Sequence, residues 1–383
     1  MAGNKILIVD ADIASRNFVA AALQKDGNHI LQAASGREGL ILAWRDHPDV
    51  IIMDPVMADL KGEDFAKRLR LDARTSRVSL IALSSDPLPA RTRSCVEAGF
   101  NEYLVKTSQA IPALIETIGR LLGDNAAALK EGGLLIVFLS AKGGTGTSSL
   151  CANVAMNIAF NQPEVRVAVA DIVLPIGSIA EIVGYEGSQN LVTVAEMPAS
   201  ETTPEFFREN LIAISNWHFH LLAGSPDPEH GNQLQVGRIS EIVHALKASH
   251  DFVLLDLGRS LSRFSLPLIE HADLIAMVVS TDLSTVMLTK TVWEYLRSKG
   301  VQASSVYTIL NRAVGLEGLT KTEAEKIIGI DIKTAMPYLG SNFSLANNQH
   351  QPISAKFPQD TASIVLKEAS QQMVAMARRL RTE

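Results

Sequence analysis

The chain has 383 residues, a formal net charge of −6, 47% hydrophobic and 20% charged residues, ordinary values for a globular protein with length for about two or three domains. The acidic balance and the lack of a Lys/Arg block exclude a general nucleic-acid binder, and no apolar run approaches the ~18 residues of a membrane span. The two cysteines, Cys95 and Cys151, lack metal-ligand spacing and fit inert core thiols in a reducing cytosol; with no signal-peptide pattern after Met1, a cytoplasmic protein is expected.

Residues 5–10 form an apolar strand that ends in the carboxylate of Asp10, and a helical pattern covers residues 14–25. Residues 49–54 repeat the strand with Asp54 at its end, residues 79–84 end in the hydroxyl of Ser84, and residues 102–106 end in the amine of Lys106. Strands alternating with helices predict a parallel sheet covered on both faces, with a ligand site at the carboxyl ends of the strands. Asp10, Asp54, Ser84 and Lys106 would gather there. Residues 123–133, rich in alanine and glycine, read as a linker whose Ala-Ala-Ala-Leu-Lys-Glu core is able to extend the preceding helix.

Beyond the linker, residues 134–139 are a buried apolar strand and residues 150–160 a helical pattern. Between them lies Ser140-Ala141-Lys142-Gly143-Gly144-Thr145-Gly146-Thr147-Ser148-Ser149. Strand, Gly-rich loop and helix form a phosphate-binding context: glycines let N–H groups turn inward, and the helix N-terminus adds partial positive charge. The common spacing G-x-x-x-x-G-K-[ST] would require Gly at 141 and Lys at 147, where this chain has Ala141 and Thr147; it keeps Gly146, Ser148 for Mg²⁺, and an early lysine, Lys142. Residues 166–171 are a strand ending in Asp171, followed by Ile172-Val173; residues 252–256 are a buried run ending in Asp256, placed to act on Mg²⁺ through water. Strands at 274–280 and 306–312 follow, the second carrying Asn311-Arg312. His218 and His220 alternate on a strand-like run at 217–222, but without a third ligand a structural role is favoured. Residues 226–232 read as a surface loop, and residues 363–380 as an amphipathic helix.

The first segment also carries Asp54-Pro55-Val56-Met57, Gly62, Glu97-Ala98-Gly99-Phe100 and Tyr103. With these residues it resembles the receiver domain of two-component response regulators over residues 1–122. The resemblance implies that Asp54 is the phosphoacceptor, that Asp10, Asp12 and Asp54 hold Mg²⁺, that Ser84 and Lys106 contact the phosphoryl oxygens, and that a histidine kinase is a partner. The family usually has two adjacent acids after the first strand, whereas the second position here is Ala11, and Ala58 and Thr107 replace two family prolines. A phosphorylated receiver and one that only binds partners both stay open.

The loop pattern Lys-Gly-Gly-x-Gly-x-[Ser/Thr] resembles the deviant Walker loop of the MinD/ParA ATPases. This implies an ATP and Mg²⁺ site built from Lys142 to Ser149, Asp256, Asn311 and Arg312, with Ser148 and Asp256 on the metal and Asp171 in a catalytic role. The family's early lysine crosses a dimer to the partner's nucleotide, so a homodimer is implied. A second family aspartate is replaced by Val173. A lost charge-assisted contact is worth ~1.5–3 kcal/mol and a lost catalytic carboxylate ~10²–10⁴ in rate, leaving slow hydrolysis at best.

The whole is read as an α/β chain of two doubly wound domains: a flavodoxin-like receiver at 1–122, a linker at 123–133 and a P-loop NTPase with a mostly parallel sheet at 134–383. This order resembles the TadZ/CpaE family of pilus-assembly localisation proteins in tight-adherence (Flp-type) secretion systems, where loops lacking the usual lysine also occur. The resemblance implies a nucleotide-binding dimer with weak or no hydrolysis, working with pilus or secretion components at a cell pole or inner-membrane surface and not with nucleic acid. The alternative is an active MinD/ParA-type switch that positions other machinery under receiver phosphorylation. Some relatives bind membrane through a terminal helix like that at 363–380; packing on its own domain is the favoured reading here. A transcriptional regulator would need a helix-turn-helix pattern after the receiver, and none follows.

Overall fold

The structure is a computed structural model that describes residues 4–24, 28–72, 74–76, 78–107, 109–130, 132–234, 236–262, 264–312 and 318–382. The chain divides into two compact units, Met1–Lys130 and Glu131–Glu383.

The N-terminal unit runs β1 (Lys5–Val9), α1 (Ile13–Gln24), β2 (His29–Ala33), α2 (Gly36–Asp46), β3 (Val50–Met53), α3 (Gly62–Leu71), β4 (Ser79–Ser84), α4 (Pro89–Ala98), β5 (Glu102–Val105) and α5 (Ala110–Lys130). Its strands form one parallel sheet in the order β2-β1-β3-β4-β5. Continuous apolar strands bury both faces: Leu7, Val9, Ile51 and Met53 pack with Phe65 and Leu69, while Ile6, Ile8, Ile52 and Ile81 pack with Val19, Leu23 and Leu114. Strand order reverses between β1 and β3, which opens a crevice at their carboxyl ends. Edge strand β2, absent from the sequence expectation, buries only Ala33, so it shows no apolar run to read. Helix α5 continues through residues 123–130, where a linker was expected; alanine there costs the helix nothing in propensity.

The C-terminal unit places β6 (Leu134–Ser140), α6 (Thr147–Asn161), β7 (Val167–Asp171), β8 (Ile212–Ile214), β9 (Phe219–Leu222), β10 (Phe252–Asp256), β11 (Leu274–Ser280), β12 (Val306–Asn311) and β13 (Ile332–Ala335) in a sheet of order β13-β12-β11-β6-β10-β7-β9-β8. All pairings are parallel except β8 with β9. Every residue of β6, β10, β11 and β12 is buried, and a helical layer with its own apolar cluster covers each face. The edge strands β8 and β13 are partly exposed and were not foreseen. Residues 228–233, expected as loop, form a helix that starts on the Asp227 cap with proline at its first position.

The last helix, Thr361–Thr382, buries Leu366, Ala369, Met373 and Ala377 in one cluster with Cys151, Ala155 and Ile158 of α6. Arg381 forks onto Asp273 with bonds of 2.6 and 2.5 Å. The apolar face of this helix is therefore taken by its own unit, although Ile364 stays exposed. Among the described residues no helix is long and apolar enough to cross a membrane. Cys95 and Cys151 are buried and free; burial pushes the Cys95 thiol up to about 11 and Cys151 well above the usual thiol value, which keeps both in the unreactive form.

Candidate functional site

In the N-terminal unit, β1, β3 and β5 bring Asp10, Asp54 and Lys106 together. Lys106 Nζ lies 2.8 Å from Asp10 Oδ2 and 2.6 Å from Asp54 Oδ2. Asp54 Oδ1 accepts the Val56 N–H at 2.9 Å. Asp10 also accepts the Ser15 hydroxyl at 2.7 Å and the Asp12 N–H at 2.8 Å. Burial pushes the Asp10 pKa up, but the bonds from Lys106, Ser15 and Asp12 outweigh it and hold the carboxyl below its ordinary value. Burial likewise opposes the charge on Lys106, and the two carboxylates overcome it and raise the amine. Ser84 is buried beside them; its Oγ accepts the Asp86 N–H at 3.2 Å and its carbonyl accepts the Lys106 N–H at 2.7 Å.

Asp12 does not join this cluster. Its Oδ1 accepts the N–H groups of Ala14 and Ser15 at 2.8 and 3.3 Å. A short carboxylate just past a strand end is captured by the orphan donors of the following helix. Of the expected metal set of Asp10, Asp12 and Asp54, the structure brings Asp10 and Asp54 together and turns Asp12 to the helix. Ser15, and Arg16 donating to the Asp10 carbonyl at 2.5 Å, occupy that side instead; in the sequence both look like ordinary first-turn helix residues. Chemically, the cluster presents a partly exposed carboxylate at Asp54 next to a cation that can take charge from a transferred phosphoryl group.

In the C-terminal unit, a cavity of about 570 Å³ opens at the end of β6, lined by Lys142, the loop from Gly143 to Ser149, Val173, Leu174, Gly258, Arg259 and Ser260 among others. Gly144 and Gly146 hold φ of 79° and 84°. Helix α6 starts on Gly146 with no side-chain cap and no acid in its first turn, so its N-terminal amides suit an anion. The Thr147 hydroxyl bonds Thr145 Oγ1 at 2.9 Å and is turned into the loop. Asp256 Oδ1 accepts the Gly258 N–H at 2.9 Å, while Oδ2 is buried with no hydrogen-bond partner among the described residues. Burial and the neighbouring Asp171 charge raise the Asp256 pKa; the hydroxyl of Ser148 opposes that rise. A buried, orphaned carboxylate oxygen beside a hydroxyl fits a hard cation.

Four expected site residues do not line the cavity: Asp256, buried behind it, and Asp171, Asn311 and Arg312. Asp171 is fully buried, and its carboxylate accepts the N–H groups of Val173, Ser178 and Ile179 at 3.0, 2.6 and 2.8 Å. Burial raises its pKa against these bonds, and it does not line the cavity. It holds the loop after β7 in shape. Asn311 is buried under the phosphate loop, where its Nδ2 donates to the Thr145 carbonyl at 2.8 Å. Arg312 is half-buried and not among the lining residues. Lys142 is at the rim, with Nζ 3.2 Å from Asp282 Oδ1 and 3.0 Å from Ser284 Oγ. Although burial pushes Asp282 up, hydroxyls of Ser280, Ser284 and Thr285 hold it well below the carboxylate range. Val173 packs on the loop opposite: a Cβ at Gly258 would lie 3.1 Å from Val173 Cγ2.

The histidines do not form a ligand pair. His218 packs at a tilt on Phe160 and His220 edge-on against His250, with ring centroids 5.7 and 5.1 Å apart. Among the described residues no three His, Cys, Asp or Glu side chains converge to hold a metal.

Residues 6–118 match the response regulator receiver domain family. Protein PilH of Pseudomonas aeruginosa is 32% identical over 118 residues, which is 31% of this chain and 97% of PilH. Two solved structures share the fold of the larger part of the chain. The ParA family ATPase from Chlorobium tepidum is 23% identical with a TM-score of 0.57 over 62% of this chain and 98% of that one. The septum site-determining protein MinD of Pyrococcus horikoshii, complexed with Mg-ADP, is 18% identical with a TM-score of 0.56 over 65% of this chain and 98% of that one. Through residues 6–118 this chain belongs to the response regulator receiver family, and it continues into a unit with the MinD/ParA ATPase fold.

Proposed function

We propose that the chain is a localisation and assembly factor of TadZ/CpaE type for a tight-adherence (Flp-type) pilus or secretion machine, acting as an ATP- and Mg²⁺-binding homodimer with slow or no hydrolysis. The observation that carries this reading is the union of a receiver-family domain with a MinD/ParA-fold unit whose phosphate loop keeps its turn while Thr147 and Val173 stand where turnover needs charge. The amides of Gly143 to Ser149 and the first turn of α6 would hold the phosphates. Ser148 and Asp256 would hold Mg²⁺, which neutralises phosphate charge when bound. Asn311 and Asp171 serve this site by shaping its loops. Pilus components and a histidine kinase are the partners of this reading, and a cell pole or inner-membrane surface its place.

Lys142 supplies the test of the dimer. Its contact with Asp282 is half exposed on both sides, and such pairs are worth ~0–1 kcal/mol, so a partner's phosphates can outcompete it. In ultracentrifugation with and without ATP–Mg²⁺, the wild-type chain is expected to dimerise on nucleotide, because a ligand buried between subunits stabilises the dimer by mass action. Lys142→Ala is expected to stay monomeric with an unchanged receiver fold. Dimerisation of the variant equal to wild type under both conditions contradicts the interface. The retained, releasable Lys142 also favours a second reading, an active MinD/ParA-type positioning switch; turnover decides between them.

A further inference from the structure

The loop lacks a lysine at 147, yet the cavity holds a second cation besides Lys142. Arg259 lines it from the loop after β10 and is exposed to solvent. Among the described residues no hydrogen bond or ion pair engages its side chain. The backbone on both sides of it is anchored. Gly258, at φ 56°, donates its N–H to Asp256 Oδ1 at 2.9 Å, and its carbonyl accepts the Ser140 N–H at 2.7 Å. Ser260 N–H donates to the Leu257 carbonyl at 2.9 Å. The same turn thus ties Arg259 to the end of β6, where the phosphate loop begins, and to Asp256.

The lysine of the cavity and the hydroxyl at 147 are already engaged. Lys142 bonds Asp282 and Ser284, and the Thr147 hydroxyl bonds Thr145. Val173 packs on Gly258.

We infer that Arg259 is the in-cis phosphate ligand of this cavity, its guanidinium donating to the terminal phosphate oxygens of a nucleoside triphosphate in place of a lysine at 147. The inference rests on the nucleotide reading of the site and adds to it a named residue and a preference for triphosphate over diphosphate. A guanidinium fork matches two phosphate oxygens at once, and a charge-assisted contact of this kind is worth about ten- to hundred-fold in affinity.

The experiment is calorimetric binding of ATP–Mg²⁺ and ADP–Mg²⁺ to the full chain as wild type, Arg259→Ala and Arg259→Lys. The exposed side chain leaves the fold intact in both variants. Arg259→Ala is expected to weaken ATP about ten- to hundred-fold and to lose most of the preference for ATP over ADP, with Arg259→Lys between it and wild type. Wild-type ATP affinity in Arg259→Ala overturns the assignment while leaving the nucleotide reading in place. Equal losses for ATP and ADP overturn the contact with the terminal phosphate. Absence of any nucleotide binding by the wild-type chain overturns both readings.

Discussion

Incubated with a small phosphodonor and Mg²⁺, the wild-type chain is expected to take up phosphate and Asp54→Ala to take up none. The physical basis is placement. Strand β3 is buried along its whole length, so it delivers the Asp54 carboxylate rigidly to the crevice where the strand order reverses. Asp54 Oδ2 sits 2.6 Å from Lys106 Nζ, close enough for the ammonium to share the charge of a transferred phosphoryl group. In that transfer Asp54 Oδ bonds to phosphorus as the bond to the donor's leaving group breaks. Asp10, the other acid of the cluster, already accepts from Lys106, Ser15 and the Asp12 amide, and Asp12 caps α1. Uptake is expected to be slow, since Ala11 and the turned-away Asp12 leave two carboxylates for the metal. Equal labelling of wild type and Asp54→Ala refutes the assignment. Labelling of neither favours a receiver that only binds partners.

Gly146→Val is expected to abolish ATP binding while leaving the fold in place. The position needs φ of 84°, where an L side chain costs roughly 1–2 kcal/mol, more if β-branched. The steric term is larger. A Cβ there would lie 2.5 Å from Asn311 Nδ2, and that amide is fully buried and holds the Thr145 carbonyl at 2.8 Å. Asn311 has no exposed direction in which to yield, so the loop must move and its amides lose their convergence. An affinity loss greater than about 100-fold in calorimetry is expected, given the several amide–phosphate bonds at stake. Gly143 and Gly144 have open space at their Cβ positions, so alanine at 143 serves as the tolerated control. ATP affinity in Gly146→Val within a few-fold of wild type contradicts the loop as the binding site.

Which parts of the site are legible in the sequence follows from what fixes each side chain. Asp10, Asp54 and Asp256 end buried apolar runs, Lys106 follows an edge strand that buries only Tyr103, and a parallel sheet sends such ends to one edge, so the strand pattern locates them. Asp12, Asp171 and Asn311 are set by competition for nearby backbone groups. Asp12 and Asp171 are drawn to amide donors of the segments that follow them, and Asn311 to a carbonyl of a loop far upstream in sequence. Residue type and spacing do not reveal which donor wins. Lys142 meets Asp282, and Arg259 meets the cavity, only through the strand order β11-β6-β10, which periodicity does not encode. Strands β2, β8 and β13 escaped for the opposite reason: partly exposed edges carry little apolar signal.

On the proposed reading, the C-terminal unit binds ATP and barely turns it over. The direct measurement is ATP–Mg²⁺ binding and steady-state phosphate release on one purified sample of the full chain. Val173 leaves the attacking water without the positioned carboxylate that is typically worth ~10²–10⁴ in rate, and Thr147 removes a charge-assisted phosphate contact, so saturable binding with turnover below about one per minute is predicted. Several turnovers per minute from clean wild-type protein would contradict it, as would the absence of any binding at millimolar ATP.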